Sequence, residues 1–305
     1  MSPPPPTHVA LVGATGSLGP AILAALLAAS HTVTVLTRIG STAAAKLPPH
    51  PNMDIKEVDL GDARSIAPAF SGVSVVISSV AASAIASQNP LIDAAVAAGV
   101  QRFIPAEYGL DSANAKAALL PIIKEKVDTQ TYLNAKVRET GGTFSWTAIA
   151  NGWFLDWVLQ STDILLDVKE RRATLYNGGD VPFSAALLRD IAQAVVGIVA
   201  KPEETKNRVV YVHSAVVTQK QLLRYAEERD GRKWSTSVQG TKELLEEIKG
   251  AVEKEDFDTA YRVAPILGCS DLGYGCDFSD HVDNELLGIK EMSEAELREL
   301  VEGLL

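Results

Sequence analysis

The chain of 305 residues carries 28 basic against 38 acidic side chains, a formal net charge of −10, which opposes a nucleic-acid backbone as partner and makes a neutral or aromatic small molecule the easier ligand. Its 47% hydrophobic and 22% charged content excludes a disordered or fibrous protein and suits one large α/β domain with a smaller appendage, or two domains sharing a cleft. Cys269 and Cys276 are the two cysteines, too few for a disulfide framework and without zinc-site spacing, so no metal is expected and a reducing, cytoplasmic setting is the simpler expectation.

The opening Met1-Ser2-Pro3-Pro4-Pro5-Pro6 has neither the basic nor the apolar region of an export signal, and residues 1–7 read as a disordered tail. From there to residue 152, short β-branched runs alternate with alanine-rich helical stretches, the pattern of a parallel sheet with crossover helices. Strands are predicted at 9–12, 32–36, 54–58, 73–78, 102–105 and 145–150, and helices at 18–29, 64–70, 90–98 and 121–139. Beyond Asn151 the alternation weakens. Residues 153–180 read as a short helix and a turn at Asn177-Gly178-Gly179-Asp180, while a helix at 187–200 and a strand at 208–213 are expected to return to the sheet. Helices at 220–229, 242–254 and 293–304, the last opened by a Ser293/Glu296 capping box, complete a smaller mixed α/β substrate-binding subdomain over 153–305. No apolar run reaches the ~20 residues of a membrane span, so no membrane partner is expected.

The segment Val9-Ala10-Leu11-Val12-Gly13-Ala14-Thr15-Gly16-Ser17-Leu18-Gly19-Pro20 sets three glycines between a buried strand and a helix. Gly13 permits a tight turn, Gly16 lets the backbone approach a pyrophosphate, and Gly19 allows close helix packing. The helix N-terminus offers free amides and a positive dipole end to the phosphates, where Thr15, Ser17 and Leu18 also lie. This is the signature of a Rossmann, doubly wound parallel sheet over residues 8–152. Where an NAD-specific fold places an acidic residue, this chain has Thr37-Arg38. A guanidinium suits a 2′-phosphate, so the expected cofactor is NADPH/NADP+, with Lys46 as a weaker second cation.

In the helix opening at Pro121, residues Ile122, Ile123, Val127, Gln130, Leu133 and Val137 fall on one arc, and Lys126 falls inside it. Such an inward lysine points toward the C-terminal sheet edge, where it could bond nicotinamide-ribose hydroxyls and hold or supply a proton at a substrate oxygen. The alternatives are a snorkelling side chain or a pair with Glu107. Tyr132-Leu133-Asn134-Ala135-Lys136 matches the Tyr-x-x-x-Lys spacing of short-chain dehydrogenases but is rejected on geometry. Lys136 lies only 11 residues before Thr147, too few to run back past the sheet, whereas Lys126 leaves 21.

The glycine turn, Arg38, Val75-Val76-Ile77-Ser78-Ser79, Gln88-Asn89-Pro90-Leu91-Ile92-Asp93-Ala94-Ala95 and Gly99-Val100-Gln101-Arg102-Phe103-Ile104-Pro105-Ala106-Glu107-Tyr108-Gly109 resemble NmrA-like proteins. These are atypical short-chain dehydrogenases/reductases that include isoflavone reductases and phenylcoumaran benzylic ether reductases. The likeness covers residues 8–160 well, and Asn151-Gly152-Trp153-Phe154-Leu155-Asp156-Trp157 is similar to the fungal-type branch. The resemblance implies NADPH binding, Lys126 as the catalytic lysine, and reduction of a small, often aromatic or polycyclic, secondary metabolite. It places Ser79 and Asn151 beside the cofactor, and Glu107, Tyr108, Trp153 and Phe154 on the substrate side. Plant reductases carry Pro-Ser-Glu-Phe-Gly where Pro105-Ala106-Glu107-Tyr108-Gly109 stands, and their helix after the lysine is shorter; both differences bear on the substrate, not the cofactor. Two other readings stay open: an NADP-sensing regulator without turnover, and an enzyme whose cofactor shapes the pocket for a non-redox cyclisation or isomerisation. A monomer or homodimer is expected.

Overall fold

A computed structural model describes residues 6–305; the expected tail at 1–7 lies outside the described residues for 1–5, and Thr7 is already tied to the sheet through its carbonyl, which accepts the Thr32 amide at 3.1 Å. The apolar runs of the first half become β1 (His8–Val12), β2 (Thr32–Arg38), β3 (Met53–Val58), β4 (Val75–Ser78), β5 (Arg102–Ile104) and β6 (Ser145–Ala150). Between them run α1 (Gly19–Ala28), α2 (Ala63–Ile66), α3 (Asn89–Ala97) and α4 (Pro121–Glu139). The second half adds β7 (Trp153–Phe154), α5 (Leu155–Ser161), β8 (Arg172–Tyr176), β9 (Phe183–Ala186), α6 (Leu188–Ala200), β10 (Arg208–Tyr211) and β11 (Ala215–Val217). It closes with α7 (Gln219–Asp230), β12 (Ser235–Gln239), α8 (Thr241–Glu253), α9 (Phe257–Ser270), α10 (Asn284–Leu287) and α11 (Glu294–Glu302). Among the described residues no helix is long and apolar enough to cross a membrane.

Seven strands form one sheet in the order β10-β6-β5-β4-β1-β2-β3, every pair parallel. Strand order reverses between β1 and β4, the crevice where open α/β sheets bind ligands. Alternate residues of β1 feed two cores: Val9 and Leu11 pack with Ile22 and Leu26 of α1 and Ile191 and Val195 of α6, while Ala10 and Val12 pack with Phe70, Leu91 and Leu133 on the opposite face. A third core joins Trp153, Phe183, Tyr225, Trp234 and Leu267 to Ile122 and Ile123 at the start of α4. Beside it lie a three-stranded sheet, β11-β9-β7, and a parallel pair, β12-β8.

Several expectations are corrected. The helix expected at 64–70 is α-helical only over Ala63–Ile66 and tightens to a 3-10 turn over Ala67–Phe70, where Pro68 supplies no amide. The strand expected to reach residue 213 stops at Tyr211, because Asn284 takes both the amide and the carbonyl of His213. Residues 153–180 contain β7 and β8 besides the helix and turn; β8 escapes a periodicity reading because it is half-buried and pairs with β12, some 60 residues on.

Arg102, 4% exposed, holds the edge of the large sheet together without a carboxylate. Its guanidinium donates to Ser145 Oγ at 2.8 Å, Thr147 Oγ1 at 2.6 Å, Thr205 Oγ1 at 3.0 Å and the Pro202 carbonyl, joining β5, β6 and the approach to β10. Replacing it strands buried acceptors, each costing about 1–3 kcal/mol. Arg102→Leu is therefore expected to lower unfolding free energy by roughly 2–4 kcal/mol in urea denaturation; an unchanged midpoint would show the peg to be dispensable.

Candidate functional site

The glycine turn leaves β1 at the reversal of strand order. Gly13 adopts φ +87°, and a Cβ there would sit 2.1 Å from the Ser79 carbonyl oxygen; one on Gly19 would sit 2.1 Å from the Gly13 carbonyl oxygen. The fold itself demands both glycines. Gly16 differs, since its Cβ would meet the protein no closer than 3.5 Å, so the packing of the chain itself does not require a glycine there. Thr15, Gly16 and Ser17 are exposed, whereas the Leu18 side chain is buried in the core, leaving its main chain for contact. No side chain caps α1; Pro20 has no amide and the Ala21 amide donates to the Leu18 carbonyl at 3.1 Å, so an anion at this helix start would be met by the main chain of the turn ahead of Pro20. Arg38 ends β2 and Lys46 ends the 3-10 turn Thr42–Lys46; both are exposed. Ser79 is half-buried, and its amide donates to the Val12 carbonyl at 2.8 Å.

On α4 the buried residues are Ile122, Ile123, Lys126, Thr129 and Leu133. Thr129 was not expected there, but its hydroxyl satisfies itself on the Glu125 carbonyl. Lys126 is 4% exposed, and its Nζ donates to the Tyr108 carbonyl at 3.0 Å. The loop after β5 is built around this ammonium. Gln88 accepts the Ala106 amide at 2.9 Å, and Gly109, at φ +140°, would carry a Cβ only 3.2 Å from Lys126 Nζ. The Gly109 carbonyl then accepts the amides of Asn151 and Gly152 at 3.0 and 2.9 Å, stitching the loops after β5 and β6 together.

Glu107 is 1% exposed, and neither carboxyl oxygen accepts a hydrogen bond. Burial pushes its pKa up, an effect opposed chiefly by the Lys126 ammonium. Burial likewise pulls Lys126 down, against the pull of the Glu107 charge. The pairing of these two residues weighed above is thus a through-space attraction rather than a closed ion pair. Asn151 is fully buried with Nδ2 on the Gly152 carbonyl and Oδ1 without a partner. The Tyr108 hydroxyl is also buried and unpartnered, and its phenol pKa is raised by burial. Of the seven such orphaned side-chain atoms among the described residues, five (Ser78 Oγ, both Glu107 oxygens, Tyr108 OH and Asn151 Oδ1) belong to the ends of β4 and β6 or to the loop after β5. Folded proteins rarely leave such atoms unsatisfied, so their concentration at one sheet edge marks a place for a polar ligand.

Successive residues of β7 separate. Trp153 lines a cavity with Tyr176, Phe183, Gln219, Ile266 and Cys269, while Phe154 packs into the core on the α1/α6 face. The cavity encloses about 20 Å3, room for about one water. Gln219 is spent on Tyr176 N and the carbonyls of Leu165 and Thr174, which leaves the wall mainly apolar. Tyr132 and Lys136 both bind Asp93 on α3, at 2.7 and 3.0 Å, engaged as a surface network. Sequence reasoning did not single out Gln88, Ser112 or Gly109 as site residues, although Gln88 and Gly109 sit within the motifs quoted, and Gln130 was placed on the inner arc without a role.

The profile of the NmrA-like family matches residues 6–269. Oxidoreductase aprR of Aspergillus flavus is 31% identical over 287 residues, covering 92% of this chain and 94% of that protein. Among solved structures, an isoflavone reductase superposes with a TM-score of 0.75 at 18% identity, covering 99% of this chain and 100% of that one. A leucoanthocyanidin reductase–NADPH complex from Vitis vinifera superposes with a TM-score of 0.73 at 19% identity, covering 97% and 99%. With a glycine turn shaped for a dinucleotide, a lysine buried at the sheet edge, and these likenesses along nearly its whole length, the chain belongs to the NmrA-like family.

Proposed function

We propose that the chain is an NADPH-dependent, isoflavone reductase-like oxidoreductase that reduces a small, aromatic or polycyclic secondary metabolite, with Lys126 as its acid/base. The observation that carries this reading is a buried ammonium at the carboxyl edge of the sheet, surrounded by polar atoms that the protein leaves without partners. The name oxidoreductase carried by the A. flavus relative and the NADPH held by the V. vinifera neighbour support it.

The free space over Gly16 and the uncapped start of α1 suit a pyrophosphate, held by main-chain amides of residues 13–19 with Thr15 and Ser17 beside them. Arg38, helped by Lys46, reads the 2′-phosphate, and Ser79 and Asn151 border the nicotinamide end. NADPH, when bound, supplies the hydride. Lys126 does the rest of the proton chemistry: one of its three protons is held by the Tyr108 carbonyl, leaving the others to orient ribose hydroxyls and to pass to a substrate oxygen. The Glu107 charge opposes, without cancelling, the pull of burial on the ammonium. Tyr108 and Trp153 frame the substrate side, Phe154 being turned instead into the α1/α6 core, and residues 153–305, apart from β10 in the large sheet and α6 packed on it, form the substrate-binding subdomain.

Fluorescence titration should favour NADPH over NADH by about 10- to 100-fold, the worth of charge-assisted hydrogen bonds, with Arg38→Ala bringing the two together; equal affinities in the native protein would remove Arg38 from this role. Gly16→Ala is expected to keep the native melting temperature yet weaken NADPH binding, whereas a loss of stability would show that the turn itself needs that glycine.

Screening small aromatic carbonyl compounds for NADPH consumption should find turnover that Lys126→Ala slows by roughly 10²- to 10⁴-fold. Because the ammonium is the proton donor and burial lowers its pKa, the rate should fall as pH rises through that lowered value, and Lys126→Arg should abolish the limb. Cofactor bound but never consumed in proportion to product would favour sensing or non-redox catalysis, and an unimpaired Lys126→Ala would end the lysine's role.

A further inference from the structure

The two cysteines that looked too few for a framework meet in the fold. Cys269, near the end of α9, and Cys276 are both buried, with their Sγ atoms in contact at 2.7 Å. The turn between them is held by non-covalent means. Asp271 accepts the Gly273 amide at 2.8 Å, and Gly275 adopts φ +67°. From outside, Lys116 pairs with Asp271 at 2.9 Å and lies 4.1 Å over the Tyr274 ring. The sulfurs are therefore brought together before any bond exists between them.

Their placement relative to the cavity is equally specific. Cys269 lines it from α9. The Cys276 carbonyl accepts the Ser184 amide of β9 at 2.8 Å, and Phe183, the preceding residue of β9, lines the same cavity. A bond between the sulfurs would tie the α9 wall to the β9 wall.

We propose that Cys269 and Cys276 are a reversible thiol/disulfide site that staples these two walls beside Trp153. The oxidant is a low-molecular-weight disulfide of the glutathione type. One cysteine sulfur attacks it, and that cysteine's proton leaves with the first small thiol released. The second cysteine then attacks the protein sulfur of the mixed disulfide, and its proton leaves with the second small thiol. The oxidant's S–S bond and two cysteine S–H bonds break, while one protein S–S bond and two small-molecule S–H bonds form. Two electrons pass from protein to oxidant. Burial and the adjoining Cys276 thiol keep Cys269 protonated, so exchange proceeds through local opening of the segment after α9.

The test counts thiols and needs no substrate, so it stands or fails apart from the proposed reduction. Purified protein is incubated with oxidised glutathione, quenched in acid, denatured and labelled with a maleimide. Arg262 and Lys290 bound the tryptic peptide that carries both cysteines. In the native protein that peptide should lose two hydrogens and both labels together and regain them after reduction, while Cys276→Ser should leave Cys269 free or glutathionylated. Hydrogen exchange over residues 264–278 should be slower in the oxidised form. Retention of both thiols, stable glutathione adducts on the native protein, a covalent dimer, or unchanged exchange would overturn the proposal.

Discussion

Two ionisable side chains, Lys126 and Glu107, lie at a sheet edge that shields both from water, and neither has the full set of partners that a buried charge demands. Removing a lone ion from water costs several kcal/mol even after the protein relaxes. Their mutual attraction and the Tyr108 carbonyl offset only part of this. The loop after β5 is shaped by that constraint: Gly109 withholds a Cβ from the ammonium, Gln88 fixes Ala106, and the Gly109 carbonyl clamps the start of the next loop. A fold that keeps so many polar atoms unsatisfied in one place is poised for a ligand that satisfies them, and binding then adds to stability as well as to chemistry.

The glycines of the phosphate turn divide the labour in a way that their spacing alone conceals. Gly13 and Gly19 are needed by the protein's own packing, one against the end of β4 and the other against the turn, whereas Gly16 meets only ordinary contacts. The demands of packing thus fall on two of the three glycines within a seven-residue segment and leave the third free of them.

The first half of the chain was legible because most of its strands are buried on both faces and so read as plain apolar runs: β6 is buried at every position, and the exception is the edge strand β3, buried only at Val58. Lys126 could be found because one charge interrupts an otherwise apolar arc, and the rejected Tyr132/Lys136 pair is bound to Asp93, as a position off that arc would suggest. The second half hid its elements for physical reasons. β12 is largely exposed, β9 is only four residues long with three of them small, and α9 carries Pro265 within an almost unbroken apolar stretch, so none shows a clean period. The orphaned atoms of Ser78, Tyr108 and Asn151 are ordinary in sequence and acquire meaning only when three strand ends converge.

The return of β10 to lie beside β6 makes the large sheet a joint product of distant parts of the polypeptide. A fragment cut after residue 152 would leave β6 as a naked, adhesive border and deprive Arg102 of the Thr205 hydroxyl and Pro202 carbonyl that it grips. Synthesis must therefore run through more than two hundred residues before this seam can close, which points to late, slow consolidation of the border and a need for protection from self-association while the ribosome finishes its work.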